Sequence, residues 1–265
     1  MVNDENIIRL KKPDMFSLER TLDCGQAFRW ESDESGVFSG VAYGKVMRVK
    51  EDGDSLLFYG MKNEDVQGVF YRYLDLGRDY REITDRYNGD KYLSEAVRAC
   101  PGIRILRQEP WEALCSFIIS QNNNIPRIKG IIKRLCESFG EELESGMFTF
   151  PSPEVLSGKA PEDLASLRAG FRAKYIIDAA NKIADSPIEF GRQELQKIKG
   201  VGKKVAECTL LYGFGKYEAF PEDVWVKRIM AEMYPDGLPA CTKGSEGIAQ
   251  QYLFHWRRTV YRENL

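Results

Sequence analysis

The chain has 265 residues, of which 43% are hydrophobic and 29% are charged, and its formal net charge is −2. This length allows one large domain or two smaller ones around a proper hydrophobic core, and the composition is that of an ordinary globular protein. The slightly acidic balance excludes a nonspecific nucleic-acid coat protein, which would be strongly basic, so any binding to nucleic acid must use a local site.

Cysteine and histidine narrow the possible chemistry. The six cysteines are scattered, without a C-x-x-C pair or a metal-ligand spacing, so we expect reduced thiols in a cytoplasm. The single histidine, His255, excludes histidine zinc clusters and has no signature of a Ser-His-Asp or Cys-His mechanism around it. We therefore expect no metal and no cofactor, and any catalysis has to use Lys, Asp, Glu or Cys.

The first part of the chain predicts an antiparallel sheet. Short alternating or aromatic runs are separated by Gly, Asp and Ser turns, and the connections are too short for parallel crossovers. These runs are AFRWES, GVFSGVAYG, KVMRVKED and SLLFYG, between residues 27 and 60. From about residue 63 the apolar period changes to three and four, which predicts one helix through Val66 and Phe70 and another in residues 90–100.

The rest of the chain is predicted to be almost entirely helical. Pro126 suits the first turn of a helix that ends at Gly140. The predicted helices cover residues 111–121, 126–139, 171–183, 203–212, 224–233 and 245–261. The fold class is therefore α+β. An N-terminal antiparallel-sheet domain with helices covers residues 1–99, and a mostly helical domain of two lobes covers residues 100–265.

A tight turn between two helices is predicted within about residues 192–213, from the stretch LQKIKGVGKKVAEC. Gly200 and Gly202 can adopt positive φ and let another backbone approach closely. The N–H groups that begin the second helix, around Val205, have no partner inside it and suit a phosphate, helped by the positive end of the helix dipole. A plain turn between helices, with glycines as caps, is an equally good interpretation of this motif alone.

Two adjacent lysines open the second helix of this hairpin. Lys203 is expected to pair with Glu207, four residues on, as an ordinary solvated pair. Lys204 shares a face with Cys208 and lies beside Leu211, so it points towards less polar surroundings near a helix N-terminus. Both conditions favour the neutral amine that nucleophilic attack requires. The alternative is that Lys204 extends its ammonium to solvent, as most lysines at the edge of a core do.

Asp223 stands just before the predicted helix at Val224, in the stretch PEDV. A carboxylate is expected at this position as an N-cap. Because a capping carboxylate is rigidly held, it can also face a cationic transition state.

Several stretches together resemble one family. Lys204 in the G-V-G hairpin, Asp223 nineteen residues later and a triple Asn are the strongest marks. They resemble the helix-hairpin-helix base-excision DNA glycosylases, and within these the 8-oxoguanine DNA glycosylase/lyase group. The stretches span nearly the whole chain in the order of the family and are CGQAFRW, ISQNNNIPRIKGIIKRLCESFG, LRAGFRAKY, GVGKKVAEC, PEDV and AQQYLF.

This resemblance implies a bifunctional enzyme of base excision repair whose DNA site lies in the cleft between the two lobes. It implies that Lys204 is the nucleophile at C1′ of the sugar, which releases the base, forms a Schiff base and cleaves the strand by β-elimination. Asp223 supports positive charge at C1′ in this scheme. The excised base is 8-oxoguanine in duplex DNA, preferably opposite cytosine.

The resemblance also implies a pocket for the flipped base, since a base is excised only after it has left the stack. Phe254 and Cys208 cover the two faces of the purine, and Gln250 reads its Watson–Crick edge. The backbone carbonyl of Gly25 detects the N7–H that 8-oxoguanine has and guanine lacks. Guanine's N7 lone pair would face that carbonyl without a hydrogen bond.

On the DNA side, the resemblance assigns residues to the opposite strand. Asn122 fills the hole that the flipped base leaves. Arg127 and Arg172 read the widowed cytosine, whose O2 and N3 acceptors suit guanidinium donors. Phe171 stands where close relatives often carry a tyrosine near this base, so the hydroxyl is absent.

Structural interpretations of the same residues stay open. Phe254 has the helical spacing of a core residue, the triple Asn suits a helix-ending loop, and Arg172 suits a solvated surface. Trp225 stands where a histidine is usual in the family, and Glu207 stands where an aspartate is more usual. The four-cysteine spacing of related branches is missing, so no iron–sulfur cluster is expected.

Two other functions compete with this one. A glycosylase for another lesion, such as an alkylated base, would usually lack the lysine at position 204. A noncatalytic DNA-binding module would use only the hairpin and would have no lyase activity. We expect a monomer that binds double-stranded DNA containing 8-oxoguanine, in the cytoplasm or on the nucleoid of a prokaryote. We expect no membrane partner, since no apolar run approaches the roughly 20 residues of a membrane span and residues 1–10 are too polar for a secretory signal.

Overall fold

Five strands form an antiparallel sheet in the first part of the computed structural model, which describes residues 6–144, 146–185 and 191–260. The strands are β1 (Ile7–Lys11), β2 (Trp30–Ser32), β3 (Phe38–Ala42), β4 (Lys45–Asp52) and β5 (Ser55–Tyr59), in the order β1-β5-β4-β3-β2 across the sheet. Tyr43 and Gly44 join β3 to β4 with positive φ angles of 52° and 65°, as a two-residue type I′ turn requires. The predicted antiparallel sheet is confirmed.

Strand β1 is not among the predicted elements. It pairs only with β5, and its residues alternate between exposed and half-buried. Arg9 and Lys11 stand on this edge strand, where charge is common because it discourages pairing with another chain. A strand of this kind lacks the apolar alternation that marks a half-buried strand in a sequence.

The helices of the described ranges follow the predicted order. They are α1 (Leu18–Leu22), α2 (Asn63–Asp65), α3 (Tyr71–Tyr73), α4 (Tyr80–Asp85), α5 (Lys91–Ala99), α6 (Pro110–Ser120), α7 (Ile125–Phe139), α8 (Pro153–Leu156), α9 (Ala173–Asp185), α10 (Arg192–Gln196), α11 (Lys203–Cys208), α12 (Val224–Met233) and α13 (Glu246–Thr259). Turns with π-helical hydrogen bonding cover Val66–Phe70 and Thr209–Gly213. Short 3-10 segments cover Arg86–Gly89, Pro161–Leu167, Gly170–Arg172 and Ala240–Thr242. A small hairpin of β6 (Glu142–Glu144) and β7 (Met147–Phe148), which the sequence analysis does not predict, follows α7.

Helix ends agree with the sequence signals more often than they depart from them. Helix α7 begins after Asn124, whose side chain accepts a hydrogen bond from the N–H of Arg127 at 3.0 Å, and it ends at Gly140 as predicted. The predicted helix over residues 203–212 is too long. Helix α11 ends at Cys208, and a π-helical turn continues to Gly213.

Two large hydrophobic clusters make up most of the described core, beside a small third one of Val37, Leu57 and Tyr59. The first lines one face of the sheet with Met47, Val49 and Phe58. The second fills the helical part around α6, in which seven of eleven residues are buried. Helix α6 packs against α7, α9 and α11, while α13 packs against α5 and α12. Tyr80 precedes residue 99 but packs in the second cluster, among residues of the helical part. The clusters therefore do not test the predicted domain division after residue 99, which stays a prediction.

Buried polar side chains join the sheet to the helices. The side chain of Gln26 donates to the carbonyls of Thr21 and Arg104 at 2.8 and 2.7 Å and accepts from the N–H of Leu106 at 2.9 Å. The side chain of Gln108 donates to the carbonyl of Gln26 at 2.6 Å. These bonds fix the loop around Gln26, and Gly25 is part of that loop.

The described ranges contain no helix that is both long and apolar enough to cross a bilayer. Within them, no group of three His, Cys, Asp or Glu side chains is arranged to hold a metal ion. All six cysteines are free thiols, and only Cys241 is not fully buried.

Candidate active site

The hairpin between α10 and α11 is built on two glycines with different constraints. Gly200 has a φ of +80°, and a Cβ on it would overlap the ring of Tyr175. Gly202 is the N-cap of α11, with a φ of −90° and open space where a Cβ would point. Val205 is buried, so only its backbone belongs to the surface of this turn. The first N–H groups of α11 have no acceptor inside the helix.

Lys203 lies in solvent and pairs with a residue that the sequence analysis did not name. Its ammonium is 2.7 Å from the carboxylate of Glu222, and 68% of its side chain is exposed. The predicted pair with Glu207 is wrong. Glu207 is buried, where it accepts hydrogen bonds from Arg192 and from the N–H of Phe220 at 2.9 Å. These partners come from outside the helix, which the spacing of four residues cannot reveal.

Lys204 is half-buried and points back to the end of α6. Its Nζ lies 3.1 Å from Oγ of Ser120 and 4.8 Å from the centre of the Phe117 ring. The Phe117 ring is itself stacked on Tyr212, at 5.2 Å between centroids and 19° between planes. The alternative that Lys204 extends into solvent is therefore wrong.

Cys208 lies beside this amine, and Asp223 lies near Cys208. Burial raises the pKa of the Cys208 thiol to about 11, although the charge and hydrogen bond of Lys204 oppose the rise, and the charge of Asp223 adds to it. Asp223 is the N-cap of α12, and its Oδ1 accepts from the N–H of Val226 at 2.9 Å. The predicted cap is confirmed. The amine of Lys204 and the fixed carboxylate of Asp223 thus both lie near the neutral thiol of Cys208.

A second group of predicted residues meets beside the loop that carries Gly25. Gly25 has a φ of +87°, and a Cβ on it would lie 3.9 Å from the ring of Phe254 and 3.4 Å from the guanidinium of Arg258. Phe254 is half-buried on α13 rather than part of the closed core, and the guanidinium carbon of Arg258 lies 5.7 Å from its ring centre. Gln250, one turn earlier, is buried, and its Oε1 has no hydrogen-bond partner among the residues that the structure describes.

A buried hydrogen-bond chain fixes this region. The hydroxyl of Tyr212 donates to Oε1 of Gln251 at 2.6 Å, and Nε2 of Gln251 donates to the carbonyl of Cys24 at 3.3 Å. The chain connects the π-helical turn after α11, helix α13 and the residue before Gly25. The Gly25 loop is therefore held from both sides, by Gln26 on one and by Gln251 on the other.

The triple Asn forms the loop between α6 and α7. Asn122 is exposed and has a left-handed conformation, with a φ of 46°. Arg172 is buried against this loop, and its guanidinium donates to the carbonyl of Gln121 and to that of Asn122 at 2.9 Å. Burial, together with the charge of Arg127, lowers the pKa of Arg172. The interpretation of Arg172 as a solvated surface residue is wrong.

Arg127 and Phe171, two of the predicted DNA contacts, are exposed near the Asn122 loop. The Arg127 side chain is exposed at the start of α7, and 45% of Phe171 is exposed. The ring of Phe171 lies 4.4 Å from the guanidinium carbon of Arg172 and 5.8 Å from the ring of Tyr175, which packs on Gly200. A chain of contacts therefore runs from the hairpin through Tyr175 and Phe171 to Arg172 and the Asn122 loop.

Sequence reasoning missed the residues that support the predicted ones. These are Phe117, Ser120, Tyr212, Gln251 and Arg258. Ser120 and Gln251 both stand inside stretches that carry the resemblance, but the amine of Lys204 and the carbonyl of Cys24, which they contact, are 84 and 227 residues away in the chain. No local pattern contains such a pairing.

Two family profiles match adjoining parts of the chain. The profile described as "8-oxoguanine DNA glycosylase, N-terminal domain" matches residues 7–114, and that described as "HhH-GPD superfamily base excision DNA repair protein" matches residues 115–237. The N-glycosylase/DNA lyase of Saccharomyces cerevisiae is 32% identical over an alignment of 255 residues, which covers 82% of this chain and 68% of the yeast protein.

Two solved structures are similar over almost their whole length. The Clostridium acetobutylicum 8-oxoguanine glycosylase/lyase, in complex with double-stranded DNA containing cytosine opposite 8-oxoG, has a TM-score of 0.89 and 35% identity. The alignment covers 100% of this chain and 99% of that one. MBOgg1, in complex with a low-affinity DNA ligand, has a TM-score of 0.88 and 40% identity, with 97% and 98% of the two chains covered.

Proposed function

This chain belongs to the HhH-GPD superfamily of base excision DNA repair proteins, in its 8-oxoguanine DNA glycosylase branch, and from that premise we propose which base it excises and how. It is a DNA glycosylase with DNA lyase activity. We propose that it releases 8-oxoguanine opposite cytosine from duplex DNA and then cleaves the strand through a Schiff base on Lys204.

Lys204 is the proposed nucleophile. Its amine attacks C1′ of the lesion sugar, and the C1′–N9 bond breaks with its electron pair leaving on the base, which takes up a proton. The amine loses a proton, the C1′–O4′ bond opens with protonation of O4′, and a C1′=N imine forms. Removal of a C2′ proton then breaks the C3′–O bond, whose electron pair leaves with the 3′ phosphate. The half-buried position of Lys204, between Ser120, Phe117 and Cys208, supports this role.

Asp223 is proposed to stabilise positive charge at C1′ as the base departs. Its bond to the N–H of Val226 holds the carboxylate in place before the reaction, so little reorganisation is needed when the charge develops. Its electrostatic effect on Cys208, which Lys204 also contacts, supports a position close to the amine.

The proposed base pocket lies between Cys208 and Phe254. Oε1 of Gln250 is a buried acceptor without a partner in the described part of the chain, and such rare groups call for a donor from outside the protein. The Watson–Crick edge of 8-oxoguanine carries two donors, N1–H and the 2-amino group, which suit that oxygen. Gly25 adjoins Phe254, which supports the proposed contact of its carbonyl with N7–H.

The exposed surface from the hairpin to the triple Asn is the proposed DNA interface. Asn122 would enter the duplex in place of the flipped base, and Arg127 would contact the opposite cytosine. Arg172 has little capacity left to bind cytosine, since four of the five N–H groups of its guanidinium donate to protein carbonyls. Its main proposed role is to shape the Asn122 loop, with one N–H left for cytosine.

The hairpin would hold a backbone phosphate next to this surface. Gly202 and the first N–H groups of α11, up to Val205, offer donors at an open turn. Gly200 allows Tyr175 to close the other side of the turn.

The observation that carries the proposal is the half-buried amine of Lys204 beside Cys208 and the capping carboxylate of Asp223. The test uses duplexes that carry 8-oxoguanine opposite each of the four normal bases, and duplexes that carry an alkylated base. Base release, nicking and borohydride trapping are measured for the wild type and for Arg127→Ala. We expect the fastest release opposite cytosine, and a larger loss opposite cytosine than opposite the other bases in Arg127→Ala. Equal rates opposite all four bases would disprove the cytosine preference, and release of only the alkylated base would disprove the substrate.

A further inference from the structure

Ser120 is the last residue of α6, and its hydroxyl contacts both the Lys204 amine and a backbone carbonyl of the same helix. Its Oγ lies 3.1 Å from Nζ of Lys204 and 2.8 Å from the carbonyl oxygen of Phe117. The backbone N–H of Gln121 turns to the carbonyl of Ile118, so the Phe117 carbonyl takes the serine proton instead.

The bond from Ser120 to the Phe117 carbonyl sets the direction of the bond to Lys204. A serine hydroxyl has one proton to donate, and a carbonyl oxygen can only accept. Because the proton of Ser120 goes to Phe117, its Oγ acts as an acceptor towards Lys204. The amine therefore donates an N–H to Ser120, whether Lys204 is charged or neutral.

This bond limits how the neutral amine can rotate. A neutral lysine amine has two N–H bonds and one lone pair, and they turn together about the Cε–Nζ bond. Once one N–H points at Ser120, the lone pair has only two staggered positions left, and neither is directed at the Ser120 hydroxyl. The ring of Phe117, also on α6, lies 4.8 Å from Nζ and is stacked on Tyr212, so the amine has a second fixed neighbour.

We propose that Ser120 is a positioning residue for the reaction, which holds the Lys204 amine so that its lone pair faces the lesion sugar. The inference rests on the proposed role of Lys204 as the nucleophile. It adds a residue that acts through the amine on both base release and strand cleavage, because the same nitrogen serves both steps.

The test compares Ser120→Ala, which removes the acceptor, with Ser120→Thr, which keeps it. Ser94→Ala is a matched control, because the hydroxyl of Ser94 also donates to the carbonyl three residues before it, Lys91, at 3.1 Å. Single-turnover excision of 8-oxoguanine and borohydride trapping on a preformed abasic duplex are measured at saturating enzyme, with DNA affinity measured separately.

We expect Ser120→Ala to slow both reactions about tenfold, which is the size of one lost hydrogen bond, with unchanged DNA affinity. Ser120→Thr should restore both rates to within about threefold of the wild type, and Ser94→Ala should match the wild type. Wild-type rates in Ser120→Ala would overturn the inference. Equal slowing in the Ala and Thr variants would also overturn it, since packing rather than the hydroxyl would then be responsible.

Lys204→Gln in the same assays separates the two proposals. If Lys204→Gln still forms the trapped adduct, the proposed function itself fails. If Lys204→Gln is inactive and Ser120→Ala is not slowed, only the role of Ser120 fails.

Discussion

At the scale of single residues, the two lysines that open α11 differ in what surrounds them. Lys203 is paired with Glu222 at the surface, and Lys204 lies against Phe117 and Ser120. An exposed pair of this kind contributes less than about 1 kcal/mol and constrains nothing else. The amine of Lys204 is held by these two contacts, and a fixed position of this kind favours the reaction proposed for it.

We expect Lys204→Gln to bind lesion DNA, release no base and form no borohydride adduct, since glutamine has no amine to attack C1′. Lys203→Gln is the matched control and should keep most of the wild-type activity. Single-turnover base release and gel-resolved trapping measure both. A trapped adduct that persists in Lys204→Gln and disappears in Lys203→Gln would show that Lys203 is the nucleophile.

Sequence spacing found some of these residue contacts and not others. The separation of four residues places Lys204 and Cys208 on one face of α11. The structure agrees, since the charge and a hydrogen bond of Lys204 act on the Cys208 thiol. The same argument gave a wrong partner for Lys203, because Arg192 and the N–H of Phe220 draw Glu207 inward. Spacing gives the face of a helix but not the competing partners that tertiary structure brings to that face.

At the scale of elements, the hairpin depends on the fit between α9 and the turn before α11. The ring of Tyr175, on α9, occupies the space where a side chain on Gly200 would begin. Gly200→Ala should lower the free energy of unfolding by about 2–4 kcal/mol, since it adds both a positive φ and an overlap. Urea denaturation measures this loss.

Gly202→Ala is the control for this prediction, since its Cβ would point into open space. It should change the free energy of unfolding by less than about 1 kcal/mol. In a Tyr175→Ala background the additional loss from Gly200→Ala should shrink to about 1–2 kcal/mol, the part due to φ alone. An undiminished loss in that background would contradict the overlap.

The bond chain from Tyr212 to Cys24 joins three elements around the proposed base pocket. Tyr212→Phe removes only the hydroxyl and keeps the ring that stacks on Phe117. We expect excision of 8-oxoguanine to slow about 3–10-fold, because Gln251 no longer holds the residue before Gly25 firmly. Cleavage of a preformed abasic site should stay at the wild-type rate, because no base occupies the pocket.

Tyr234→Phe is the control, since the hydroxyl of Tyr234 bonds to Asp90 at 2.6 Å in another part of the fold. It should leave both rates unchanged. A parallel loss of excision and abasic-site cleavage in Tyr212→Phe would indicate a general folding defect instead.

Most elements could be predicted from local signals, and the exceptions have physical causes. Helix α12 begins and ends where the sequence predicts, because Asp223 caps it and its side chains keep one apolar face. Strand β1 could not be predicted, because an edge strand carries charges and depends on β5 for its hydrogen bonds. The π-helical turn after Cys208 has no sequence signature, since it arises where Thr209–Gly213 packs against α6.

At the scale of the whole molecule, the net charge of −2 limits how DNA is held. The proposed phosphate donors are mainly backbone N–H groups, so few counterions are displaced by side-chain charges. We expect the logarithm of the association constant to fall with the logarithm of salt concentration with a slope of about −3 or shallower. Fluorescence anisotropy across a salt series measures it. A slope near −8 would mean a basic surface outside this interface.

The single histidine, His255, lies on α13, and its pKa depends on its burial there. Burial, with the charges of Arg258 and Arg20, lowers the pKa of His255 below its ordinary 6.5, and Asp23 only partly opposes this. Since the unfolded chain then binds the proton more readily, the free energy of unfolding should fall as pH drops below about 6.5. NMR titration should place the midpoint below 6.5 in the folded protein, and Arg258→Ala should raise it. A midpoint at or above 6.5 would contradict the burial of this ring.

The division of the core was only partly visible in the sequence. A sheet followed by helices was predictable because the apolar period changes from two to about 3.6 residues. The joint between them was not, since it consists of buried polar contacts such as those of Gln26 and Arg104 across about 80 residues of chain. Those contacts, rather than the strands themselves, set where Gly25 lies.

The burial of the thiols bears on the conditions in which such an enzyme works. Oxidants react with a thiolate far more readily than with a thiol. Burial raises the pKa of Cys208 to about 11 and that of Cys24 and Cys136 to about 12, so at neutral pH these sulfurs stay protonated. The proposed substrate, 8-oxoguanine, is itself a product of oxidation, and peroxides of the same origin convert thiolates to sulfenic acids. If Cys208 forms a wall of the proposed base pocket, a sulfur that resists this conversion keeps that wall neutral and unchanged in shape under oxidative stress.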